Sequence, residues 1–150
     1  MTNEEMLQLA RRAVACKGWR WMPGMRTDDG FRVCRVDSDG YKFGWSDSNY
    51  AYAIARDVLP DLTDPATLGC LLELVREAHP APTITFEGKT YLAPCYPECG
   101  SGFWYMRRDC GDGDEDLYED GVWSWRHEEA DPVRGDSEAE VLVAALEAAP

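Results

Sequence analysis

The sequence predicts an α+β domain, an antiparallel, hairpin-built sheet of about five to seven strands with three helices packed on it. Three observations carry this expectation. Three stretches repeat apolar residues at helical spacing behind good capping residues. Runs rich in β-branched and aromatic residues flank short turns that contain glycine. The length, 150 residues, suits a single domain spanning the whole chain. A chain of that size buries roughly two-thirds of its unfolded surface, so it folds without a disulfide or metal staple.

The first helix opens at Thr2, with Glu5 completing a capping box, and Met6, Leu9, Ala10 and Ala13 form its apolar face. Gly18 to Met22 is expected as a strand with Trp19 and Trp21 on one face, broken by Pro23 and Gly24. Phe31 to Val36 and Tyr41 to Trp45 flank Asp37-Ser38-Asp39-Gly40, a strong hairpin signal. Asn49 to Val58 suits either a strand or a helix. Leu59-Pro60-Asp61-Leu62-Thr63-Asp64-Pro65 leads into the second helix, with Thr63 or Asp64 as cap and Pro65 in the first turn. Leu68, Leu71, Leu72 and Val75 are its buried stripe, and His79-Pro80-Ala81-Pro82 ends it. Thr83 to Phe86 and Thr90 to Ala93 flank Glu87-Gly88-Lys89 as a second hairpin. Phe103 to Arg107 and Val122 to Arg126 are further strands. The last helix starts near Asp136 or Ser137, with Ala139, Leu142, Val143 and Leu146 inward.

Charge narrows the classes of function. A net charge of −13 and a pI near 4.4 oppose general affinity for nucleic acid, which needs cations to displace counterions. They equally oppose binding to anionic membranes. A partner protein with a basic surface is compatible. The N-terminal residues do not read as a signal peptide, and no stretch approaches a membrane span. The six cysteines are expected to be mostly reduced and structural.

Three segments carry a resemblance. They are Arg11-Arg12-Ala13-Val14-Ala15-Cys16 leading to Trp19-Arg20-Trp21-Met22-Pro23-Gly24-Met25, the Leu59 to Ala78 segment, and Ser137 to Ala148. Together they resemble a group of small proteins encoded by bacteriophages and prophages. The likeness covers both ends and the central helix, leaving the hairpins, roughly Thr27 to Ala55 and Thr83 to Asp136, as variable parts. The resemblance implies an accessory protein in a bacterial cytoplasm. It transfers no functional residue, because the group carries no assigned activity.

Candidate sites therefore come from the variable parts. Cys95 and Cys99 have the spacing of a structural zinc pair followed by Gly100. Zinc takes four ligands, and the remaining candidates, Cys110 and His127, show no second paired spacing. The alternative is a Pro/Gly-rich loop with two thiols. Asp112, Asp114 and Asp116 mimic the start of a calcium loop, but Leu117 and Trp123 stand where Gly and Glu are required. Trp104, Trp123 and Trp125 gather beside Asp112, Asp114, Glu115 and Asp116. Packing in the core is the simpler role for the tryptophans. An aromatic surface rimmed by acids would instead anchor and steer a basic partner. No nucleophile pairs with His79 or His127, and no phosphate-binding loop occurs, so no catalysis is expected. The expected function is a non-catalytic phage accessory protein acting by protein binding, such as an anti-CRISPR-like acidic inhibitor of a host factor. The alternatives are a zinc module built on Cys95 and Cys99, or a purely structural phage protein. No cofactor is expected outside the zinc reading.

Overall fold

In the computed structural model, residues 1–45, 51–80, 83–86, 89–92, 95–100, 103–108 and 134–150 are described. The chain divides into two compact units, Met1–Leu74 and Val75–Pro150. The division falls inside the helix Pro65–Ala78. The architecture is α+β, with three helices and antiparallel strand ladders among the described residues.

In the first unit, α1 (Asn3–Ala15) forms as its capping box dictates. Thr2 N–H donates to Glu5 Oε2 at 2.6 Å, and Glu5 N–H donates to Thr2 Oγ1 at 3.3 Å. These backbone and hydroxyl donors hold the Glu5 carboxyl below its ordinary range. Leu9, Ala10 and Ala13 are buried. The expected strand from Gly18 to Met22 does not form. Trp19 and Trp21 meet edge to face at 5.7 Å without strand pairing. Gly24 and Met25 take the ladder bonds instead, exchanging N–H···O contacts of 2.8 Å with Val33. Gly24 permits this because its φ of +102° suits glycine alone.

Arg32–Val36 is β1, Lys42–Trp45 is β2 and Ala51–Ala53 is β3, and they pair antiparallel in that order. The hairpin between β1 and β2 falls where Asp37 to Gly40 predicted it. Asp37 Oδ1 accepts the N–H groups of Asp39 at 3.0 Å and Tyr41 at 2.8 Å. The ambiguous stretch resolves at residues 51–53 as a strand, because β2 offers an unpaired edge to it. One face of this sheet carries Val33, Lys42 and Gly44, all buried. A methyl group on Gly44 would lie 2.8 Å from Ile54 Cδ1 and 3.0 Å from the Arg32 carbonyl, so that face is filled.

The second helix, α2 (Pro65–Ala78), spans the division. Asp64 caps it, accepting from Thr67 N–H at 2.9 Å and from Thr67 Oγ1 at 3.0 Å. Asp61 forms the turn before it by accepting from Thr63 N–H at 3.0 Å and Thr63 Oγ1 at 2.6 Å. Leu62, Leu71 and Leu74 are buried in the first unit.

In the second unit, β4 (Thr83–Phe86) pairs with β5 (Lys89–Leu92) as a two-stranded ladder. β6 (Cys95–Gly100), β7 (Phe103–Arg108) and β8 (Arg134–Gly135) form a three-stranded ladder, with β7 central. Among the described residues, no ladder exceeds three strands. Among the described residues the expected sheet of five to seven strands is not seen, and the strands pair as ladders of three, two and three; the expected strand Val122 to Arg126 lies outside the described residues. Hairpin signals specify which neighbours pair but not whether successive hairpins join.

Against the β6–β7–β8 ladder packs α3 (Glu138–Glu147). Ser137 caps it, accepting from Glu140 N–H at 3.2 Å. Ala139, Leu142, Val143 and Leu146 are buried as expected, and so are Val141 and Ala145. Gly135 lets β8 approach this helix. A methyl group there would lie 2.7 Å from Glu140 Cβ and 2.9 Å from the Val141 nitrogen.

Candidate functional site

A polar cluster braces the first unit. Arg32 grips Asp64 with two bonds, Nη2 to Oδ1 at 2.8 Å and Nη1 to Oδ2 at 3.2 Å. Its Nη1 also donates to the Gly24 carbonyl at 2.6 Å. The hydrogen-bonded guanidinium holds the Asp64 carboxyl down at about 2, with burial opposing and the Thr67 cap assisting. Thr67 Oγ1 accepts Arg26 N–H at 2.8 Å, so one cap ties α2 to two strand segments. This cluster is structural, since its groups satisfy one another.

The outer face of the β1–β2–β3 sheet is different. Across it, Arg32 is in register with Trp45 and Ala51, and Arg35 is in register with Phe43 and Ala53. Two arginines three residues apart share a face only because the register slips at Cys34. Bulges re-aim side chains in this way. Tyr41 extends the alternation of Phe43 and Trp45 along β2. Tyr41 is 43% and Trp45 52% exposed. The Arg35 guanidinium lies over the Phe43 ring at 4.4 Å, and that of Arg56 over the Tyr41 ring at 4.4 Å. The result is an aromatic stripe with a planar cation laid on two of its rings.

On the inner face, buried Lys42 sits 4.8 Å over the Trp21 ring and donates to the Arg56 carbonyl at 3.3 Å. Burial pushes this ammonium below its ordinary range. Burial likewise raises the Cys70 thiol. Among the described residues, Cys16, Cys34 and Cys70 stand outside any disulfide.

The residues singled out from sequence fall elsewhere. Trp104 lies on central strand β7, in register with Cys99 on one side and Gly135 on the other. Asp112, Asp114, Glu115, Asp116, Cys110, Trp123, Trp125 and His127 lie outside the described residues. Cys95 and Cys99 lie on β6 rather than in a loop. Extended backbone separates two such Cα atoms by about 13 Å. The tight turn of a Cys-x3-Cys zinc pair is absent there. Pro97 does not prevent the strand, because β6 is an edge strand of its ladder. Among the described residues, no group of three His, Cys, Asp or Glu is placed to hold a metal. No helix among them is long and apolar enough to cross a membrane.

Charge is unevenly divided. Met1–Leu74 holds nine Lys/Arg and eleven Asp/Glu, for a net −2. Val75–Pro150 holds six and seventeen, for a net −11. Residues 109–133 alone contain ten of those seventeen acids and one arginine. No protein-family model, curated protein or solved structure matches the chain.

Proposed function

We propose that this chain is a non-catalytic phage accessory protein of the bacterial cytoplasm that binds a protein with a basic surface. The reading extends to inhibition of a host factor or defence system whose basic site ordinarily meets nucleic acid. The observation that carries it is the charge division, with a surplus of eleven acids confined to Val75–Pro150. Uniform acidity serves solubility alone, whereas concentrated acidity makes a directional field that speeds encounter with a cation-rich surface. Asp112, Asp114, Glu115 and Asp116 stand at the centre of that surplus, flanked in sequence by Trp104, Trp123 and Trp125 as candidate anchors.

The test is affinity capture from host lysate with the wild type and with a variant carrying D112N, D114N, E115Q and D116N. The reading predicts a stoichiometric basic protein retained by the wild type and lost from the variant. Equal retention by both chains refutes it.

A further inference from the structure

The outer face of the β1–β2–β3 sheet carries cations laid on aromatic rings, opposite in sign to the acidic excess of Val75–Pro150. The chain has 28 acids and 15 Lys/Arg. In such a chain an exposed arginine has ample carboxylates to pair with. Arg32 does so, bound to Asp64. Arg35 and Arg56 do not: among the described residues neither side chain has a carboxylate partner, and Arg35 lies on half-buried Phe43 while Arg56 lies on exposed Tyr41.

Stacking fixes the plane of a guanidinium and leaves its N–H edge open. That edge matches a carboxylate with two parallel bonds. Tyr41 and Phe43 are two residues apart on one face, so the rings that carry the cations repeat at roughly 7 Å. Alternate side chains of an extended peptide repeat at the same spacing. Trp45, 52% exposed, continues the stripe beyond the cations. It offers a flat apolar surface for a further side chain of the same segment.

We propose that this stripe docks an extended, carboxylate-bearing protein segment with acids at alternate positions. Arg35 and Arg56 take the carboxylates, and Trp45 takes an apolar residue beside them. The surface fits single-stranded nucleic acid less well. Two of its rings are already covered by guanidinium, whereas base stacking needs bare rings. Two cations without a carboxylate partner among the described residues, on a chain of net charge −13, also give little counterion release. The proposal stands apart from the acidic surface, because it involves other residues and the opposite charge.

The test uses the full chain and a labelled peptide with Glu at alternate positions and one Leu, read by fluorescence anisotropy near physiological salt. The expected result is saturable binding that Arg35→Gln and Arg56→Gln each weaken about tenfold. Arg35→Lys weakens it nearly as much, because the charge remains but the planar fork is lost. Arg11→Gln removes an equal charge on α1 and leaves binding unchanged. The proposal is overturned by no binding at millimolar peptide, or by equal losses in Arg11→Gln and Arg35→Gln. It is also overturned by tighter binding of oligothymidylate than of the peptide, or by concentration-dependent dimerisation that Arg35→Gln abolishes.

Discussion

Replacing Asp64 with Asn tests the polar brace of the first unit most sharply. The substitution keeps the size of the side chain and an acceptor for the Thr67 amide, but removes the charge that Arg32 grips. The wild-type carboxyl titrates at about 2 when folded, against an ordinary value of 3.8. The unfolded chain therefore binds more protons between those values. Its stabilising contribution is complete above pH 3.8 and is lost as the pH falls through about 2. At about 1.4 kcal/mol per unit the full difference approaches 2.5 kcal/mol. Asp64 is 8% exposed but Arg32 is 47% exposed, so solvent screens one end of the pair. After that discount the expected loss in Asp64→Asn is about 1–2 kcal/mol at neutral pH. Urea denaturation, followed on the indole N–H resonances of Trp19 and Trp21, reads this unit. The variant should also lack the part of the acid destabilisation between pH 4 and pH 2 that Asp64 supplies. A variant as stable as wild type at pH 7, or one with an unaltered acid slope, refutes the reasoning.

Other substitutions follow from the same packing. Gly69 is exposed inside α2, and a methyl group there meets nothing within 4 Å. Gly69→Ala should raise stability by about 0.5–1 kcal/mol in thermal denaturation. Gly135→Ala should do the reverse, by about 1–3 kcal/mol, because its methyl group meets α3 backbone that cannot move alone. Amide exchange at the start of α3 should quicken with it. Buried Lys42 is depressed below 10.5, so the unfolded chain binds more protons just under that value. Wild-type stability then rises with pH in that window, and Lys42→Met should lack the rise; equal slopes by urea denaturation contradict it.

Local signals were the legible part of this fold. The Thr2–Glu5 box, the Asp64 cap and the Asp37 to Gly40 turn each act over three or four residues, so sequence spacing contains them whole. Features that rest on distant partners were not legible. Arg32 and Asp64 are 32 residues apart. Trp19 and Trp21 alternate like a strand, yet Gly24 and Met25 occupy the pairing that would have made them one. Cys95 and Cys99 resembled a turn because of Pro97 and Gly100, but an edge strand tolerates a proline. The aromatic stripe shows the same division. The alternation of Tyr41, Phe43 and Trp45 is visible in sequence, but alternation does not say which face meets water. The slip at Cys34 that brings Arg35 to that face has no sequence signature.

Binding of a basic protein through the concentrated acidity of Val75–Pro150 is proposed above. Its most direct measurement is calorimetric titration of the captured host protein with the wild type and with the fourfold neutralised chain. One-to-one binding is expected that weakens at least about tenfold on neutralisation and falls with added salt. Equal affinity of the two chains, with no dependence on salt, contradicts it.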